Sequence, residues 1–132
     1  MKKIFTLLTA LLCTIAQLTW AQDCPVLNET GDKSFSTAAG GGTVEYSLSG
    51  QGAKLTFQAK KSSGLPDAPT LKIEQYVNGS WQQISTFSTS KNYADYGPYD
   101  IAREATAIRF SGSGGLYNRN IRNVYVTRAT YV

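Results

Sequence analysis

Thr70-Leu71-Lys72-Ile73-Glu74-Gln75-Tyr76-Val77-Asn78-Gly79-Ser80-Trp81-Gln82-Gln83-Ile84-Ser85-Thr86-Phe87 decides how this chain folds. Asn78-Gly79 separates two alternating runs, and both residues tolerate the positive φ of a type I′ turn, so the stretch predicts a β-hairpin. The turn sets the register: Val77 faces Ser80, Tyr76 faces Trp81, Ile73 faces Ile84 and Leu71 faces Thr86. Leu71, Ile73 and Ile84 then share one face, while Tyr76, Trp81 and Phe87 share the other. An ordinary sandwich buries only one of them. Either a bulge after Trp81 turns the indole inward to join Ile84, or Tyr76 and Trp81 form an aromatic patch on the outer face. Large aromatics in strands mostly serve the core, so the inward indole is expected.

The same short-period pattern extends outward from the hairpin. Leu55, Phe57 and Ala59 alternate with Lys54, Thr56, Gln58 and Lys60, giving one buried and one wet face. Strands are expected at Thr43 to Ser49, Ala53 to Lys60, Thr70 to Val77, Ser80 to Phe87, Tyr99 to Ile101, Thr106 to Ser111 and Asn123 to Val132. Lys33 to Thr37 offers a further edge strand. No helical stripe and no tandem repeat occurs. Short strands punctuated by Gly, Asn, Ser and Pro predict an all-β fold, an antiparallel two-sheet β-sandwich. Loops are expected at Lys61 to Pro69, Ser88 to Gly97 and Gly112 to Arg122.

Residues Met1 to Ala21 read as a secretory leader. Lys2 and Lys3 supply the positive end, Ile4 to Ala16 the apolar stretch, and Thr19-Trp20-Ala21 a small-x-small cleavage site. Removing these 21 of 132 residues leaves 111, the size of a single domain over residues 22–132. The expected location is secreted, periplasmic or at the cell surface. No later apolar run reaches the roughly 18 residues a spanning helix needs, so no membrane insertion is expected after leader removal. Without the leader, 11 basic residues face 9 acidic ones, too small an excess to imply nucleic acid. Arg119, Arg122 and Arg128 are read as solvated edge residues. Cys24 has no partner beyond the leader and is expected to form no internal disulfide.

The chain has no histidine, which removes the Ser-His-Asp, Cys-His and common zinc chemistries. A glycosidase would have to draw an acid pair from Glu45, Glu74, Asp95, Asp100 and Glu104, all of which are as well explained by solvated or turn positions. The reading is therefore non-catalytic, with no cofactor and no metal ligand set. Asp95, Asp100 and nearby carbonyls offer oxygens for a structural Ca²⁺, but without a regular calcium spacing.

One segment stands out: Asn92-Tyr93-Ala94-Asp95-Tyr96-Gly97-Pro98-Tyr99-Asp100. Sugars present apolar CH faces ringed by hydroxyls, and a site for them needs flat aromatics beside fixed polar partners. Asn92, Tyr93, Asp95, Tyr96, Tyr99 and Asp100 supply both kinds, and Tyr117, Asn118, Arg119 and Asn120 from the next loop could complete a ligand site. The competing reading packs tyrosine rings into the mouth of the sandwich and leaves only their hydroxyls wet.

Leu71 to Ile84, with its Asn-Gly turn followed by Trp and Ile, resembles the hairpin of galactose-binding-like jelly-roll domains. Ala107-Ile108-Arg109-Phe110 and Asn123-Val124-Tyr125-Val126-Thr127 resemble the closing strands of such modules in secreted Bacteroidetes-type proteins. The resemblance implies a jelly roll that binds carbohydrate, or an adhesion or spacer module meeting another secreted or surface protein. It also implies a piece of a larger architecture. The Asp-Asp pair often found before the closing Val is replaced here by Arg122-Asn123, which removes a carboxylate the family uses there.

Overall fold

The computed structural model describes residues 24–38 and 40–129. The leader expected over Met1 to Ala21 and the end of the last expected strand lie outside the described residues. Those that are described form nine strands and no helix: β1 (Leu27–Glu29), β2 (Lys33–Phe35), β3 (Gly42–Ser47), β4 (Gly52–Lys61), β5 (Thr70–Val77), β6 (Ser80–Thr86), β7 (Ala94–Asp100), β8 (Ala107–Ser113) and β9 (Arg119–Arg128). The first sheet has the order β1-β9-β4-β7, with β2 also on β9; the second has the order β3-β8-β5-β6. Every pairing is antiparallel.

The alternation read in the sequence builds the core between the sheets. Leu55, Phe57 and Ala59 of β4 meet Ile121, Val124 and Val126 on one side, and Leu71, Ile73, Ile108 and Phe110 face them from the other sheet. Phe57 is the hub, with ring contacts to Phe87, Tyr96, Tyr99 and Phe110 at centroid distances of 4.6 to 6.0 Å.

The hairpin forms at the expected turn, with Asn78 at φ 52° and Gly79 at φ 84°. Its first pairs, Val77 with Ser80 and Tyr76 with Trp81, follow the two-residue turn. Beyond Gln83 the register slips: Ile73 faces Ser85 rather than Ile84, and the Phe87 amide donates to the Leu71 carbonyl. The bulge therefore exists, but it turns Phe87 onto the core beside Ile84 and leaves Trp81 on the outer face with Tyr76. The inward indole is thus corrected, because a bulge changes the facing of residues beyond it and Trp81 lies on the turn side.

Two expected loops are shorter than read. Ala94 to Asp100 is a strand paired with β4, and β9 begins at Arg119. Gly97-Pro98 looks like a turn in sequence; here it is the irregularity that lets Tyr96 and Tyr99 both face inward, opposite Phe57 and Leu55. Asn123, at φ 52°, does the same in β9, where the register shifts between Thr56 and Gln58. Both defects flank β4.

Arg119 is not a solvated edge residue. It is 1% exposed, and its Nη2 donates to Asp67 Oδ1 at 2.6 Å while Nη1 donates to the Tyr117 carbonyl. Asp67 also accepts from the Leu116 amide and lies 3.8 Å from Lys61 Nζ, so one buried carboxylate ties residues 62–69 to residues 114–118. The Arg119 bond holds the Asp67 carboxyl below its ordinary range although burial opposes this. Arg122 belongs to β9, an interior strand of its sheet. Cys24 is buried and is not a free thiol in this structure; the expectation of no internal disulfide concerns residues 22–132, and Cys13, the other cysteine of the sequence, lies outside the described residues.

Candidate functional site

On the outer face of the second sheet, alternation and register bring side chains into rows across the strands. Ser47, Ala107, Tyr76 and Trp81 form one row. Glu45, Arg109, Glu74 and Gln83 form the next, and Thr43, Ser111, Lys72 and Thr86 a third. Successive rows lie two residues apart along the strand, about 7 Å.

The aromatic row and the charged row are locked together. Tyr76 and Trp81 meet edge to face at 5.1 Å, and the Arg109 guanidinium sits 4.1 Å from the centre of the Trp81 ring. Arg109 Nε donates to Glu74 Oε1 at 2.8 Å, and this bond holds the Glu74 carboxyl below its ordinary range against the effect of desolvation. The indole, phenol, guanidinium and carboxylate are thus positioned before any ligand arrives, and all four residues retain partial exposure. Beyond Lys72 and Ser111 the surface dips into a cleft of about 260 Å³ reached by Thr43, Thr70 and Ser113. The track from Tyr76 to Thr70 covers seven residues of β5, about 20 Å from end to end.

The tyrosine-rich segment is divided between several surroundings. Tyr96 and Tyr99 stack on Phe57, the Tyr96 hydroxyl donates to the Ser88 carbonyl at 2.6 Å, and burial raises both phenol pKa values. Asp100 pairs with Lys54, and Asn92 is exposed with its carbonyl accepting from Ser90. At the far end Arg119 is buried, Tyr117 offers its carbonyl to Thr37 and Arg119, and the Asn118 carbonyl accepts from the Ser62 amide.

Three residues of that set, Tyr93, Asp95 and Asn120, do share a surface, the outer face of the first sheet. The Tyr93 hydroxyl donates to Asp32, which also accepts from Asn120 Nδ2 at 3.1 Å. Arg122 stacks on the Tyr93 ring at 3.6 Å and donates through Nε to Gln58, whose Nε2 donates to Asp95 at 2.9 Å. Desolvation opposes ionisation of Asp32, but the bonds from Tyr93 and Asn120 with Lys60 and Arg122 nearby outweigh it and hold its pKa low. Tyr93 is pushed up to about 12, first by burial and then by Asp32.

Sequence reasoning placed none of Arg109, Glu74, Asp32, Gln58 and Arg122 in a binding site. Alternation marks Glu74 as outward with Tyr76, and Arg109 as outward between Ile108 and Phe110, so both carry a signal. Asp32 carries none, because it precedes a three-residue strand.

No protein-family model matches the chain, and no curated protein matches it either. Its fold is similar to that of solved family 29 carbohydrate-binding modules. One, a mutant made to probe the mechanism of ligand recognition, is 20% identical, with a TM-score of 0.52 over 69% of this chain and 68% of that one. Another is 21% identical, with a TM-score of 0.52 over 67% of this chain and 61% of that one. A third, complexed with mannohexaose, is 18% identical, with a TM-score of 0.53 over 82% of this chain and 88% of that one. What the chain shares with these modules is the two-sheet antiparallel β-sandwich.

Proposed function

We propose that this protein is a non-catalytic carbohydrate-binding module that grips an internal stretch of an oligosaccharide along the outer face of the second sheet. One observation carries this reading: Trp81 and Tyr76 stand in register beside an Arg109–Glu74 pair on a single partly exposed face. The aromatic row meets sugar CH faces, and the fixed ion pair with Gln83 and Lys72 meets hydroxyls, which can both donate and accept. Charges on the track balance, with Glu45 and Glu74 against Arg109 and Lys72, which suits a neutral glycan. The family 29 modules crystallised with cellulohexaose and mannohexaose lend support as proteins of this fold with linear sugars bound.

Catalysis is not part of the reading. A glycosidase acid needs a raised pKa, and Glu74 is held low by Arg109. No cofactor is invoked. The protein is read as exported by its leader, with one domain over residues 22–132, as the resemblance to secreted Bacteroidetes-type modules also implies. Among the described residues no helix is long and apolar enough to cross a membrane.

A structural or adhesion module of a larger secreted or surface protein is the second reading, favoured by edge strand β6, Ser80–Thr86, which has neither charge nor proline to discourage pairing with another protein's strand. Polysaccharide pull-down and a glycan array with Trp81→Ala and Tyr76→Ala separate the two. The first reading expects retention to fall by about tenfold or more in each variant; full retention by the double variant rejects this face, and no sugar binding by the wild type favours the second.

A further inference from the structure

We infer that the outer face of the first sheet carries a second ligand site, a cleft that takes a single neutral sugar unit such as a chain end or a branch. Thr56, Gln58, Asp95, Gly97 and Asn123 line a cleft of about 360 Å³ above Phe57 and Tyr96. That volume lies at the low end of the roughly 300 to 1,000 Å³ of small-ligand sites, enough for a sugar ring and too little for a chain.

The cleft is built by the two register defects on either side of β4. On the β7 side, pairing jumps from Leu55 with Tyr99 to Phe57 with Tyr96; on the β9 side it jumps from Thr56 with Tyr125 to Gln58 with Arg122. Bulges re-aim side chains and open a sheet locally. Gly97, at φ 102°, lets β7 pass close against β4 beside the cleft, since a Cβ there would lie 2.5 Å from the Leu55 carbonyl oxygen.

The polar groups at the cleft are fixed in advance. Gln58 engages both ends of its carboxamide within the protein, accepting from Arg122 Nε and Asn123 Nδ2 and donating to Asp95 Oδ1, each at 2.9 Å. This immobilises Asp95 and Asn123 while leaving Asp95 Oδ2, Asn123 Oδ1 and the Thr56 hydroxyl without hydrogen bonds among the described residues. Acceptors held beside a hydroxyl match the vicinal hydroxyls of a sugar. Arg122, itself pinned by Tyr93, is the positioning residue behind Gln58 and offsets the charge of Asp95, so the cleft favours a neutral ring over an ionised one. The track and the cleft lie on opposite faces of the sandwich, so both can be filled at once and the module can bridge two glycan strands.

The test is an NMR titration of wild type, Trp81→Ala, Asp95→Ala and Asn123→Gly with methyl glycosides of neutral hexoses, followed by hexasaccharides. The Asn123→Gly change suits the left-handed backbone there, so the fold is kept while the amide is lost. Expected are amide shifts at Thr56, Gln58, Asp95, Gly97 and Asn123 that survive Trp81→Ala and weaken by about tenfold or more in Asp95→Ala and Asn123→Gly. Hexasaccharide binding confined to the second sheet, with no methyl glycoside moving these amides, overturns the cleft and leaves the track standing. Cleft shifts unchanged in both cleft variants also overturn it. Should Trp81→Ala leave hexasaccharide binding intact while the cleft responds, the track fails and the cleft stands.

Discussion

Two arginine–carboxylate pairs of similar geometry do different work in this molecule. Arg119–Asp67 closes at 2.6 Å with side chains 1% and 2% exposed, whereas Arg109–Glu74 closes at 2.8 Å with side chains 27% and 14% exposed. The first sits among loops and joins segments 52 residues apart; the second lies in the face of a sheet, with an indole over its guanidinium. Contact distance does not distinguish them, but burial does. A buried pair becomes a structural tie whose breakage strands a charge, while a partly wet pair is stiff enough to orient a ligand and cheap to alter.

The strongest way to break this comparison is Asp67→Ala. It leaves the Arg119 guanidinium buried without its carboxylate, and an expected loss of about 3 to 5 kcal/mol should appear in denaturant unfolding. An effect below about 1 kcal/mol would mean that the tie is no stronger than a surface pair. Acid tests the same tie without mutation. The Asp67 carboxyl has a lower pKa folded than unfolded, so its stabilisation is complete above the ordinary Asp value of about 3.9 and is lost as pH falls through the folded value. Thermal melts should therefore drop below about pH 4 in the wild type, and that portion of the drop should vanish in Asp67→Leu combined with Arg119→Met.

Trp81→Ala sharpens the other side. It should cost about 2 kcal/mol of glycan binding, as a truncated aromatic anchor does, while leaving the melting midpoint nearly unchanged because the indole is outside the core. A large loss of stability would give Trp81 the role of a packing residue. The smallest effect is expected for Glu74→Gln, which keeps the shape of the pair and removes its charge; stability should change by less than about 1 kcal/mol. Weaker glycan binding in that variant at unchanged stability, measured by calorimetry, would place the pair in recognition.

Much of the sandwich was readable residue by residue. The alternation of Leu55, Phe57 and Ala59, the Asn78-Gly79 turn and the Ile108–Phe110 run each state a local preference that the fold keeps. Strand β7 was readable only at its end, from Tyr99, because Gly97-Pro98 is turn chemistry used here for a bulge that seats Tyr96 and Tyr99 against Phe57. The candidate site was legible only in part. Tyr76 and Trp81 were offered as an outer patch only as the alternative to an inward indole, and their partners Arg109 and Glu74 come from the neighbouring strand and the charged row. Arg119 was misread because its carboxylate lies in a loop distant in sequence.

Periodicity two and turn chemistry are local properties, so the chain alone determined that it would form short antiparallel strands in a sandwich and where the hairpin would turn. In the hairpin, where apolar residues occupy both faces, alternation defines the two faces without saying which one meets the opposing sheet. That choice, with the slip at Ile84, the burial of Arg119 and the cleft between the two defects flanking β4, belongs to the tertiary structure, because it depends on which apolar set packs best against residues far away in sequence.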